Sequence, residues 1–155
     1  MTIYIDYPSP IGQLYLISNG HALVGCYFEN AWSSKSDESK EGRDDVLDLV
    51  VSQLDEYFNK KRKMFNLPIE LNGTEFQKAV WKSLLQIPYG ETCSYQKQAE
   101  SIGNVKAVRA VGSTNGKNPI SIIIPCHRVI GKNGSLTGYA GGMENKKHLL
   151  ALESC

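Results

Sequence analysis

The sequence predicts an α+β protein in two parts: a small α/β domain over residues 1–70 and a mostly helical domain over residues 71–155. Three observations lead there. The first 29 residues are runs of β-branched and aromatic residues separated by turn formers. Beyond them apolar residues recur at three- and four-residue steps, the helical period. The charge also changes sign along the chain: residues 1–75 carry 7 Lys/Arg against 12 Asp/Glu, whereas residues 76–155 carry 10 against 4. The net charge of +1 therefore conceals a basic half suited to a polyanionic partner. Charge drift between two lobes gives the same numbers, so the asymmetry alone assigns no partner.

The elements follow in order. TIYIDY (2–7) and QLYLIS (13–18) are predicted strands around the turn residues of PSPIG, and ALVGCYFE (22–29) is a third strand after Asn19-Gly20. The polar stretch 30–43 is predicted as a loop. Between Asp44 and Asn59, Val46, Leu47, Val50, Leu54, Tyr57 and Phe58 make one apolar helical stripe. The basic run KKRK (60–63) then suits the negative end of the helix dipole. TEFQ (74–77) fits a capping box, and Phe76, Val80, Trp81, Leu84 and Leu85 form the buried face of the helix it starts. SYQKQAES (94–101) and VKAVRAVGST (105–114), joined across Gly103-Asn104, read as a helix-turn-helix. In its second helix Ala107, Ala110, Gly112 and Ser113 are small, while Lys106 and Arg109 are charged. Small residues admit a neighbouring helix or another large body. A last helix is predicted over MENKKHLLALE (143–153).

Composition removes several classes. With 41% hydrophobic and 21% charged residues the chain is ordinary for a globular protein. No apolar run approaches the roughly 18 residues of a membrane span. The start MTIYIDYPSP lacks the basic and apolar parts of an export signal, so a cytoplasmic location is expected, with no membrane partner. Cys26, Cys93, Cys126 and Cys155 show no regular spacing, which argues against a disulfide framework and for free thiols.

The chemistry concentrates in IIIPCHRVIG (122–131). Residues 120–124, ISIII, are predicted as a buried strand or extended segment that Pro125 ends. A cysteine there is either an inert core thiol or a reactive one. His127 favours reactivity, since it can lower the thiol pKa or take its proton. Asn118 is close enough in sequence to hydrogen-bond across the turn. Glu153 sits at a helix C-terminus, where the dipole disfavours a carboxylate, a broken local rule that hints at another use. Adjacent residues of a strand point to opposite faces, so Cys126 and His127 cooperate only if the backbone turns after Pro125 or a water links them. No CxxC or HxxxH pair supports a metal, and none is expected.

At this point the chain resembles the O6-alkylguanine-DNA alkyltransferases. The resemblance runs through GTEFQKAVWKSLLQIPYGET, SYQKQA, VRAVG, NPISIIIPCHRVIG, GYAGG and LLALE, in order, and covers essentially the whole basic half. It implies a ribonuclease-H-like N-terminal domain and a C-terminal domain with a winged-helix-like helix-turn-helix. It further implies irreversible, single-turnover transfer of an alkyl group from O6-alkylguanine, and from O4-alkylthymine, in double-stranded DNA, by a monomer without a cofactor. Cys126 is similar to the acceptor, His127 to the base acting through a water, and Glu153 to the carboxylate orienting it. Asn118 matches the asparagine of the turn before the active site. Tyr139 matches the tyrosine that lines the guanine pocket and donates to its oxygen. Arg109 would fill the stack behind an extruded nucleotide, and Tyr95 would contact the adjoining phosphate. Ala107, Ala110, Ser113 and Arg128 complete the expected DNA contacts.

Two positions depart from the family pattern. Ala140 stands where some members have serine, and Ser121 where some have proline, which is expected to narrow tolerance for bulky benzyl groups. Cys26 with His21 is similar to zinc ligands of some relatives, but further ligands are not evident. Cys93 is expected as a small buried hydrophobe, and Cys155 as an exposed terminal thiol. The rival functions are a non-catalytic lesion binder, which lacks the acceptor cysteine, a Cys-His-Glu hydrolase, and a base-reading transcription factor. The small residues of 105–114 make base reading poor.

Overall fold

The computed structural model describes residues 2–131, Gly134 and residues 138–154, leaving Cys155 outside. The chain forms two compact units, Met1–Leu71 with Pro119–Ile123, and Asn72–Asn118 with Ile124–Cys155.

In the first unit β1 (Ile3–Ser9), β2 (Gly12–Ser18) and β3 (Leu23–Phe28) form an antiparallel meander in the sheet order β3-β2-β1-β4. The turn into β3 uses the predicted residues: Asn19 Oδ1 accepts from the His21 and Ala22 amides at 2.9 Å each. Gly20 takes φ 94 there, a left-handed value that suits glycine. The predicted loop 30–43 is partly ordered. A 3-10 turn (Glu29–Ala31), a one-turn helix α1 (Ser34–Asp37) and a short strand β4 (Lys40–Glu41) occupy it, with β4 parallel to β1. Two exposed residues pairing with a sheet edge leave no alternating pattern to read. The aromatic rings of Tyr4, Tyr15 and Trp32 cluster at centroid distances of 4.9–6.1 Å.

Helix α2 (Asp45–Phe58) begins where Asp44 accepts from the Leu47 amide at 2.8 Å. It buries Leu47, Val50, Leu54 and Tyr57 against the sheet, at the predicted spacing. Residues 120–124 do not form the predicted strand. Ile120 makes only an isolated parallel bridge to Cys26, whose amide donates to Pro119 O (2.8 Å) and whose carbonyl accepts from Ser121 N (2.9 Å). The chain then reverses, with Ile123 N donating to Ser121 O and Ile122 at φ 73. A β-branched residue in that region costs about 1–3 kcal/mol, which buried packing must offset. All three isoleucines 122–124 are buried.

The second unit is mostly helical: α3 (Glu75–Leu84), α4 (Tyr95–Ser101), α5 (Val108–Asn115) and α6 (Met143–Glu153), with a two-residue parallel ladder of β5 (Cys93–Ser94) and β6 (Val129–Ile130). The capping box at Thr74 and Gln77 is formed in both directions. α3 buries Val80, Trp81 and Leu84, and the Trp81 indole donates to Thr114 O at 2.9 Å, tying α3 to α5. The α4–α5 pair is the predicted helix-turn-helix, with Gly103 at φ 74 in its turn. Its two helices are locked by reciprocal amide bonds between Gln98 and Asn115, 2.9 and 2.8 Å, both buried. Among the described residues no helix is long and apolar enough to cross a membrane.

Candidate active site

The backbone turns after Pro125, the first of the two ways in which Cys126 and His127 were expected to cooperate. Cys126–Arg128 form a 3-10 turn, with Cys126 N donating to Ile124 O (2.8 Å) and Arg128 N to Pro125 O (3.0 Å). Successive side chains of such a turn diverge by about a third of a circle rather than the half circle of a strand. All three residues are buried.

Asn118, just beyond α5, donates through Nδ2 to Ile124 O (2.8 Å) and to the Cys126 sulfur (3.3 Å). One amide therefore holds both the turn and the thiol. Burial pushes the Cys126 thiol above its ordinary pKa, opposed by that hydrogen bond, by the charge of Lys146 and by the local backbone. Desolvation outweighs these, which suits the second of the two roles expected of His127, taking the proton of the thiol.

Glu153, the last residue of α6, is 4% exposed and serves two side chains. Its Oε2 meets His127 Nε2 at 2.8 Å, and Arg128 donates Nε to Oε1 (2.8 Å) and Nη2 to Oε2 (3.0 Å). The bidentate arginine favours the ionised carboxylate, and that carboxylate favours the proton on Nε2. His127 Nδ1 then carries the lone pair, and it is buried with no hydrogen-bond partner among the described residues. Burial lowers the His127 pKa against the opposing pull of Glu153, so the ring is neutral at neutral pH. A neutral imidazole with its tautomer fixed is a base in waiting. The Tyr139 ring stands edge-on to His127, centroids 6.5 Å apart.

Arg128 does not lie at a DNA-facing surface. Its guanidinium is committed to Glu153 and, through Nη1, to Ile87 O at 2.7 Å. The broken dipole rule at Glu153 has the same origin, because the buried Arg128 cation and the His127 hydrogen bond repay the carboxylate there. The other expected contacts are accessible: Arg109, Ala110 and Ser113 are exposed on α5, whose Val111, Thr114 and Asn115 face inward. Ala107 is the N-cap of α5, and Tyr95 opens α4. The Tyr95 ring lies within 3.6 Å of where a β-carbon on Gly112 would stand.

Sequence reasoning missed Lys146. It is 1% exposed, and its Nζ donates to Val129 O at 2.7 Å. Its charge acts on both Cys126 and His127. A signal existed: Lys146 precedes Glu153 by two helical turns and shares its buried face with Leu149. Among the described residues no group of three His, Cys, Asp or Glu side chains could hold a metal ion.

The chain that carries this thiol and helix-turn-helix is similar to known proteins over nearly its whole length. The 6-O-methylguanine DNA methyltransferase DNA-binding domain matches residues 75–155, and the ribonuclease-like domain of the same family matches residues 2–71. The chain belongs to the 6-O-methylguanine DNA methyltransferase family. It is 44% identical to the methylated-DNA–protein-cysteine methyltransferase of Haemophilus influenzae, over 97% of this chain and 85% of that one. Its identity to the methyltransferase of that name from Methanosarcina acetivorans is 45%, over 98% and 99%. The crystal structure of the Mycobacterium tuberculosis O6-methylguanine methyltransferase superposes with a TM-score of 0.92 at 44% identity, covering 99% of this chain and 93% of that one. A structure of the M. tuberculosis protein in complex with DNA gives 0.90 at 45% identity, with 99% and 92% covered. The expected fold class, a ribonuclease-like domain followed by a helical DNA-binding domain, is therefore that of this 6-O-methylguanine DNA methyltransferase family member.

Proposed function

We propose that this protein repairs double-stranded DNA by direct reversal, moving the alkyl group of O6-alkylguanine, and of O4-alkylthymine, onto Cys126 once and irreversibly. The observation that carries the reading is a buried thiol held by Asn118 beside a histidine oriented by Glu153. A lesion binder without transfer has no need of such an array.

The chemistry follows from the site. A sulfur–carbon bond forms as the carbon–O6 bond breaks. The thiol proton passes through a water to His127 Nδ1, and a proton returns to the leaving guanine. Glu153 stabilises the transient imidazolium, and Tyr139 donates to the oxygen that gains charge. Lys146 compensates the developing thiolate. The product thioether resists hydrolysis by water, so one molecule acts once.

The alkylated base reaches a buried sulfur only when extruded from the duplex, at a cost of a few kcal/mol. Arg109 on the small-residue face of α5 fills the vacated stack from the minor groove, and Tyr95 engages the adjoining phosphate. Phosphate contacts carry affinity without base choice, so binding weakens with salt. The protein acts as a monomer, because every proposed residue comes from one unit of one chain. The free thiols of Cys26, Cys93 and Cys126 suit a reducing cytoplasm.

Incubation with a duplex carrying radiolabelled O6-methylguanine tests this reading. Label on the protein is expected to plateau at one methyl per molecule. Arg109→Ala is expected to slow transfer from the duplex more than transfer from the free alkylated base, and equal losses on the two substrates would remove its role in the stack.

A further inference from the structure

The second unit carries a cavity of about 380 Å3 that none of the proposed active-site residues lines. Its size falls in the range of small-ligand sites, roughly 300–1,000 Å3. Ile87 and Pro88 give it an apolar wall, Cys93 on β5 and Gln98 on α4 adjoin them, and Glu91 and Lys97 supply opposite charges. Cys93 is half-buried here rather than the small core residue expected, and the Lys97 ammonium is near enough to pull its thiol down against burial. The Lys97 side chain makes no ion pair or hydrogen bond among the described residues.

The wall residues are bonded to the functional parts. Ile87 O accepts from Arg128 Nη1, and thereby adjoins the carboxylate that holds His127. Gln98 holds Asn115 of α5 by two buried amide bonds. Cys93 pairs in the ladder with Val129, the residue after the Cys126–Arg128 turn. The wall therefore shares residues with the anchor of the active site and with the lock of the helix pair.

We propose that this cavity binds a small aromatic carboxylate, and that its occupancy is linked to DNA binding through Gln98 and Ile87. The apolar wall of Ile87 and Pro88 takes a ring, and the uncommitted Lys97 ammonium takes one negative charge. Glu91 repels a second negative charge, which selects a monoanion over a nucleotide or a free phosphate. The proposal rests on DNA binding by α5 and not on alkyl transfer.

The test uses the full chain as Cys126→Ser, so that no transfer intervenes, with 2-naphthoate as the probe and an unmodified duplex. Calorimetric titration is expected to show one saturable site, at least tenfold weaker for 2-naphthylmethylammonium and for the added Lys97→Gln. Filling the cavity by Cys93→Trp removes naphthoate binding while thermal unfolding stays cooperative. Saturating naphthoate, compared with equal sodium chloride, shifts the duplex Kd at least threefold, and the duplex shifts the naphthoate Kd by the same factor, as linkage requires. Equal binding of the cationic analogue, unchanged binding in Lys97→Gln, or a duplex Kd indifferent to naphthoate would overturn the proposal. None of these readouts involves a methyl group, so loss of the alkyl-transfer reading would leave them standing.

Discussion

Cys26 and Cys126 are both buried, and they differ in what surrounds the sulfur. Cys26 lies on β3 in the sheet core, where burial alone pushes its thiol up to about 12. Cys126 is also raised by burial, yet an amide hydrogen bond, a buried ammonium and its local backbone oppose the shift. Beside it stands a histidine whose tautomer is fixed by a buried carboxylate. Burial withholds the thiolate in both places. A polar shell decides whether it can be formed when a substrate arrives.

The largest effect should separate the two sulfurs outright. Cys126→Ser abolishes methyl transfer while duplex binding persists, whereas Cys26→Ser keeps the transfer rate and instead loses roughly 1–3 kcal/mol of stability by burying a hydroxyl among apolar groups. Single-turnover kinetics and denaturant unfolding of both variants check this. Removing the base alone, as His127→Gln, should slow transfer by roughly 10²–10⁴-fold, the usual contribution of a positioned base. His127 is a cleaner probe than Glu153, since Glu153→Gln also strands Arg128 as a buried cation, at a cost of about 3–5 kcal/mol.

Lys146→Met should act on Cys126 alone of the two thiols. Loss of its charge raises the thiol further and slows transfer, by less than the loss of the base at His127. Cys26 reactivity toward a small alkylating reagent should stay negligible in the same variant. The smallest expected effect is a displacement in pH. His127 is lowered by burial, so the neutral base survives into mild acid, and the transfer rate falls only below the ordinary histidine value of about 6.5. An acid limb centred above that value would contradict the burial argument.

Elements set by local chemistry were legible in the sequence. Thr74 and Gln77 spell out their capping box, Asn19-Gly20 its turn, and Leu47, Val50, Leu54 and Tyr57 a buried stripe. Cys126, His127, Glu153 and Asn118 were found as a set, and the structure brings them together. What escaped was decided by partners far along the chain. Lys40–Glu41 is a strand only because β1 offers an edge. Residues 120–124 look like a strand by composition, but Cys26 fixes only their start, and the reversal at Ile122 follows. Arg128 reads as a surface cation until Glu153 and Ile87 O are seen to take it. Lys146 gave a periodic signal, yet a lysine on a buried face contradicts the apolar pattern by which faces are recognised.

The most direct measurement is peptide mass spectrometry after incubation with an O6-methylguanine duplex. The account predicts a single methyl, on the peptide bearing Cys126, with the Cys26 and Cys93 peptides unmodified and no product beyond one equivalent. A methyl found on another cysteine, or product accumulating past one equivalent, would contradict it.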